Sequence, residues 1–171
     1  SQKWWWDHGG GPSGSHFVDL DQVNKSNVKQ LEVAWFYPHG NLGFNPIVVD
    51  DMMFVSGRGS SLIALDPTTG KELWIHENLQ LSARGINYWQ SDDGKEKRLL
   101  LTTGPYLQAI DAKTGKSIMT FGSNGYVDLR DGMLRGENGI RVPNPGKVWK
   151  NLLILGNAPG EGWMSPPGDI R

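Results

Sequence analysis

Apolar residues fall in short runs of three to five, each bounded by turn-forming residues, a pattern of strands rather than of helices. Ile47-Val48-Val49 and Met53-Phe54-Val55 flank Asp50-Asp51, which predicts a tight hairpin. Leu62 to Leu65, Leu73 to Ile75, Leu99 to Thr103, Tyr106 to Ile110 and Leu152 to Leu155 are further runs of this kind, and Val33 to Tyr37 predicts an outer strand. Leu20 to Leu31 alone carries a helical pattern. Asn24, Ser26 and Asn27 weaken it, so a turn or a short helix accounts for it.

Two segments repeat: Ala64-Leu65-Asp66-Pro67-Thr68-Thr69-Gly70-Lys71-Glu72-Leu73-Trp74 and Ala109-Ile110-Asp111-Ala112-Lys113-Thr114-Gly115-Lys116-Ser117-Ile118-Met119, with their aspartates 45 residues apart. Asp accepts turn N–H groups, Thr repeats this more weakly, Gly supplies positive φ, and a new strand follows. Each copy therefore predicts a strand–turn–strand hairpin. A period near 45 suits a four-stranded propeller blade or a helical array, and the short apolar runs decide for the blade. The predicted fold is all-β: about three blades of a β-propeller spanning 33–171, with residues 1–32 as an N-terminal segment packed on the rim. A propeller closes with four to eight blades, so an open fragment of a larger catalytic domain is expected. A chain starting at Ser1 without a signal peptide fits a processed or cut product.

Composition narrows the function. A formal charge of −1 argues against nucleic acid and against a polybasic membrane contact. With no Cys there is no disulfide scaffold, thiolate metal site or Cys nucleophile. Gly and Pro make up 33 of the 171 residues, which suits a turn-rich protein. His8, His16, His39 and His76 lack metal-ligand spacing and predict loop or surface positions. Gly9-Gly10-Gly11 precedes no strand–helix unit, so it is not a nucleotide loop. Lys95 to Arg98 predicts a solvated hairpin tip, and Trp4-Trp5-Trp6 a packing cluster for the N-terminal segment. Trp35 and Trp74, at successive strand ends, predict packing between blades.

Several phrases together resemble the quinoprotein dehydrogenases, the pyrroloquinoline quinone (PQQ) dependent alcohol and sugar oxidoreductases. They are Gly9 to Trp35, Ala64 to Trp74, Ala83-Arg84-Gly85-Ile86-Asn87-Tyr88-Trp89, Phe121 to Arg130 and Ser165-Pro166-Pro167-Gly168-Asp169-Ile170-Arg171, in the family's order over nearly the whole chain. The resemblance implies an eight-bladed propeller about three times this length, PQQ and Ca²⁺ as cofactors, and a periplasmic setting with any membrane attachment outside this chain. It also implies an alcohol or sugar substrate, a quinone or cytochrome electron acceptor, and the remaining blades as packing partners. The family's catalytic aspartate base lies in later blades, so the isolated chain is expected to be inactive.

The resemblance also marks site residues. Arg84 stands where the family's motif arginine holds the quinone, and a guanidinium suits a planar tricarboxylate because it offers paired charged donors. The competing reading is a structural arginine paired with an acidic loop. Glu161, soon after the Leu153-Ile154-Leu155-Gly156-Asn157 strand, stands near a Ca²⁺-ligating glutamate of the family, and a carboxylate is a suitable hard donor. Its competing reading is a solvated surface side chain. Asn157 occupies a strand end where the family places small polar residues against the cofactor. Two features depart from the alcohol-oxidising pattern: no adjacent cysteines stand near Asn78 and Leu79, and Gly43-Phe44-Asn45 replaces a glutamate often found before the Pro-x-Val-Val strand.

Two functions follow. The first is the N-terminal part of a PQQ- and Ca²⁺-dependent dehydrogenase acting on a sugar, polyol or other alcohol. The second is a non-catalytic propeller of PQQ-like repeats serving as a protein-binding scaffold. Generic blades explain the Thr-Gly repeats under both readings, whereas Arg84-Gly85 with Tyr88-Trp89 and the Ser165 to Arg171 phrase belong to the dehydrogenases.

Overall fold

Each Asp-x-x-Thr-Gly segment closes on its own aspartate. In the computed structural model, which describes residues 5, 8–11, 13–39, 44–132, 140 and 142–158, Asp66 Oδ1 accepts from Thr68 Oγ1 at 2.6 Å, Thr68 N at 2.7 Å and Thr69 N at 3.1 Å. Asp111 repeats the arrangement with Thr114 N and Oγ1, both at 2.7 Å. The strand then reverses through Gly70 and Gly115, both at φ 70°, whose N–H groups return to the aspartate carbonyls.

These turns connect strands of a repeated antiparallel unit. β1 (Ile47–Val49), β2 (Met52–Gly57), β3 (Ser61–Leu65) and β4 (Glu72–His76) form one sheet in that order. β5 (Asn87–Gln90), β6 (Lys97–Thr103), β7 (Tyr106–Asp111) and β8 (Tyr126–Asp128) form the next, and β9 (Lys147–Trp149) with β10 (Leu152–Ile154) opens a third. The Asp50-Asp51 hairpin forms as expected, with Val49 opposite Met52. Asp50 accepts the left-handed conformation at φ 51°, which an Asx side chain tolerates. Among the described residues helix is limited to 3₁₀ turns at His8–Gly10 and Val28–Gln30, in keeping with the weak pattern over Leu20 to Leu31.

The apolar runs are continuous because the inner strands are covered on both faces. Leu99 and Leu101 face the first sheet, packing with Phe54, Leu62 and Ala64, whereas Leu100 turns to the third-sheet side with Leu107 and Ala109. Period-two alternation thus sends successive leucines of one run into two different cores. Four-stranded sheets stacked face to face around consecutive inner strands are propeller blades, and the fold is an all-β propeller segment.

Indole rings lock the blades together. Trp74 Nε1 donates to the Ala112 carbonyl at 3.1 Å, and Trp35 Nε1 donates to the Pro67 carbonyl at 3.0 Å. Each ring lies on the following Thr-Gly turn so closely that a Cβ built on Gly115 or Gly70 would stand 2.5 Å from the Trp Cε3. Trp74 therefore packs between two blades as expected, whereas Trp35 docks a segment outside the described sheets onto the first blade. His76 Nδ1 adds a contact to the Gly115 carbonyl at 2.6 Å.

Two local expectations need correction. Val33 to Tyr37 is extended but belongs to no sheet among the described residues. Trp35 and Tyr37 pack on the outer face of the first sheet, while Val33 and Phe36 are 84% and 83% exposed. Alternation in that segment places side chains without supplying a hydrogen-bonding neighbour. Nor is Lys95 to Arg98 wholly a solvated tip. Lys97 and Arg98 open β6, where Lys97 pairs with Asp50 of the preceding blade and the Arg98 guanidinium lies 4.9 Å from the Trp89 ring centroid. Of the tryptophan cluster, Trp5 pairs through its backbone with Val48 of β1; Trp4 and Trp6 lie outside the described residues.

The turn geometry makes a pH prediction. Bonds from the Thr68 hydroxyl and amide hold the Asp66 carboxyl below its ordinary value. The unfolded chain then binds more protons than the folded one as carboxylates titrate, so this contribution is present above the ordinary carboxylate pKa, about 4, and is lost as pH falls through the lower folded value. Thermal melts from pH 7 to 3 should show Asp66→Asn less stable than wild type at neutral pH, with the gap narrowing in acid. A gap constant with pH would rule out the carboxylate as its source.

Candidate functional site

Three inner-strand leads converge on Gly85. A Cβ placed there would lie 3.9 Å from Phe44 Cβ, ahead of β1, and 4.0 Å from Pro145 Cγ, ahead of β9. Gly85 itself precedes β5, so one point touches the leads of three consecutive blades. The arrangement follows from blade stacking, because each inner strand starts at the same end of its sheet.

The contact with the third blade is stitched by hydrogen bonds. Ser82 Oγ accepts from Arg84 N at 3.2 Å and donates to the Pro143 carbonyl at 2.5 Å. Asn87 Nδ2 donates to the Pro145 carbonyl, and Thr102 Oγ1 donates to the Val142 carbonyl at 3.3 Å. Between those anchored prolines stands Asn144, whose Oδ1 accepts from Arg84 Nη1 at 2.9 Å. Arg84 is exposed and Asn144 half-buried, so one guanidinium edge is fixed and the rest faces outward.

Among the described residues its charge has no carboxylate partner, whereas Arg98 pairs with Glu96 and Arg130 with Asp128. The alternative of a structural arginine paired with an acidic loop has no such partner among the described residues. A permanent cation with free forked donors can hold a carboxylate.

The neighbouring aromatic pair has a different task. Tyr88 faces the seam with the first blade; burial, aided by the negative charge of Asp50, pushes its phenol up to about 12. Its hydroxyl donates to Gln90 Oε1 at 2.9 Å. A phenol held neutral and hydrogen-bonded in this way is a wedge, not a base. Trp89 faces the other seam, donating from Nε1 to the Lys150 carbonyl at 3.0 Å and to Asn151 Oδ1 at 3.2 Å. Adjacent residues on one strand thus seal opposite sides of the blade.

Asn157 follows β10 and is half-buried. The β9–β10 pairing ends at Lys147 opposite Ile154, three residues before Asn157. Glu161 lies outside the described residues. No group of three or more His, Asp or Glu suited to a metal occurs among the described residues.

Ser82 and Asn144 were not marked as site residues by the sequence. One signal was available: Asn-Pro stands ahead of β1 as Asn45-Pro46 and ahead of β9 as Asn144-Pro145. That recurrence marks equivalent blade leads, but a hydrogen bond spanning 60 residues has no sequence signature.

Comparison with known proteins follows the same lines. Residues 5–171 match the family described as "Glucose/ethanol/alcohol dehydrogenase, beta-propeller domain", whose family name is PQQ. The chain belongs to the PQQ-dependent glucose/alcohol dehydrogenase propeller family. It is 29% identical to quinoprotein glucose dehydrogenase A of Acinetobacter calcoaceticus, over 98% of this chain and 26% of that protein. It is 28% identical to the dehydrogenase subunit of the quinone-dependent alcohol dehydrogenase of Gluconobacter oxydans, over 92% of this chain and 21% of that protein. The crystal structure of quinohemoprotein alcohol dehydrogenase from Comamonas testosteroni superimposes with a TM-score of 0.68 at 25% identity, covering 90% of this chain and 23% of that one. The chain therefore spans about a quarter of the length of these quinoprotein relatives.

Proposed function

We propose that this chain forms one side of the quinone pocket in a dehydrogenase that oxidises a sugar, polyol or other alcohol and passes the electrons to a quinone or cytochrome. The carrying observation is Arg84: an outward-facing guanidinium with no carboxylate partner among the described residues, set where three blade leads meet. Its donor chemistry fits PQQ, a planar tricarboxylate, at one of its acidic edges.

In this reading Arg84 binds a cofactor carboxylate, Asn144 and Ser82 hold the Arg84 segment in register, and Asn157 adds a polar group against the cofactor. When bound, the quinone supplies the two-electron acceptor for alcohol oxidation. Tyr88 and Trp89 exclude water by closing the seams behind the arginine. A Ca²⁺ ion with Glu161 among its ligands, and a base from blades beyond this chain, complete the proposal. So do residues 1–32 as a rim segment and a periplasmic setting, where quinone and cytochrome acceptors are accessible.

The test is reconstitution of the intact protein with PQQ and Ca²⁺, following dye reduction across a panel of alcohols, polyols and sugars. PQQ-dependent turnover of at least one substrate is expected, with loss on chelation of Ca²⁺. Absence of both PQQ uptake and turnover would transfer the chain to the scaffold reading.

A further inference from the structure

Arg84 could have been oriented by a carboxylate, as Arg98 and Arg130 are; instead it is oriented by an amide. We propose that Asn144 is a positioning residue that sets the affinity of this site for a polyanionic acid, by fixing the Arg84 fork without neutralising it. The inference rests on reading Arg84 as a ligand for the quinone's carboxylates.

The physical case starts from Oδ1. An amide oxygen accepts an N–H as a carboxylate does but carries no net charge, so the guanidinium keeps its full attraction for an incoming anion. An aspartate at the same position would satisfy the same nitrogen and compete directly with the ligand. Asn144 is also well placed to be rigid. Both flanking residues are prolines, which restrict the backbone, and their carbonyls accept from Ser82 and Asn87 of the neighbouring blade. A fork held before the ligand arrives loses less rotamer entropy on binding. Asn144 thus supplies orientation and leaves the charge to Arg84.

The experiment is a PQQ titration of the intact protein at fixed ionic strength, read by quenching of tryptophan fluorescence and checked by equilibrium dialysis. Asn144→Asp, Asn144→Ala and Arg84→Ala are compared with wild type. Asn144→Asp is expected to raise the Kd by ~30-fold or more, because it converts a free cation into an internal ion pair. Asn144→Ala, which frees the fork but keeps its charge, should raise it only about 3- to 10-fold. That order is the signature of charge control: Asp is nearly isosteric with Asn, so a packing role would make Asp the milder change. An aspartate variant that binds as well as wild type, or better than the alanine variant, overturns the proposal. Should Asn144→Asp fail to fold, judged by its melting curve, Asn144→Ala carries the test, and an unchanged Kd overturns it. Arg84→Ala separates the two levels. If it loses binding while Asn144→Asp does not, only the role of Asn144 falls; if it binds as wild type, or wild type takes up no PQQ, the reading of Arg84 falls as well.

Discussion

Replacing Arg84 with alanine in the intact protein is expected to weaken PQQ binding by about two orders of magnitude, the scale of losing paired charge-assisted hydrogen bonds. Folding should be little affected. The side chain is exposed and its one described hydrogen bond runs to Asn144, while the blade joint keeps its bonds through Ser82, Asn87 and Thr102. Equilibrium dialysis for PQQ, together with thermal melts, separates binding from stability. Arg84→Lys should recover only part of the affinity, since an ammonium supplies charge without the planar fork. Wild-type affinity in Arg84→Ala would return the residue to a purely structural role.

The largest stability loss is expected at Trp74. Its ring packs 5.8 Å from the Phe54 ring, lies on the Gly115 turn and donates to Ala112 across the blade joint. Trp74→Ala removes all three at once and leaves a void at the seam, a change that costs about 3 kcal/mol in comparable large-to-small substitutions. Gly115→Ala attacks the same joint from the opposite side. Its methyl would meet the indole at 2.5 Å from a backbone at φ 70°, at a cost of about 1–3 kcal/mol. Because the two residues touch, the double variant should cost less than the two losses added together. Denaturant melts of the intact protein check all three variants, and a Trp74→Ala loss below about 1 kcal/mol would contradict the docking role.

Much of the fold was legible because its information is local. The Asp50-Asp51 hairpin, the two Thr-Gly turns and most strands are written in residues a few positions apart. β5 was harder. Asn87-Tyr88-Trp89-Gln90 has no long apolar run, since Tyr88 and Trp89 each serve a different seam and Asn87 spends its side chain on Pro145. Val33 to Tyr37 differs in the opposite direction: its strand-like residues pack against the first sheet but find no pairing edge among the described residues. Lys97 and Arg98 looked solvated because charge suggests water, yet the Lys97 ion pair crosses a blade joint and Arg98 lies against the Trp89 ring of its own sheet.

The candidate site divides in the same way. Arg84 could be singled out from its motif, and Asn157 from its place at a strand end. Neither reading contained Asn144, because only stacking of the second and third blades brings residues 84 and 144 together.

By itself the sequence determined the turns, the strand period and the presence of a lone motif arginine, since each depends on φ preferences and side chains within one hairpin. Tertiary structure decided which tryptophan meets which turn, which lysine meets which aspartate, and that Arg84 is oriented by a neutral oxygen. Those outcomes depend on the angle and register at which one blade lies against the next, and packing across the seams, rather than any local preference, sets both.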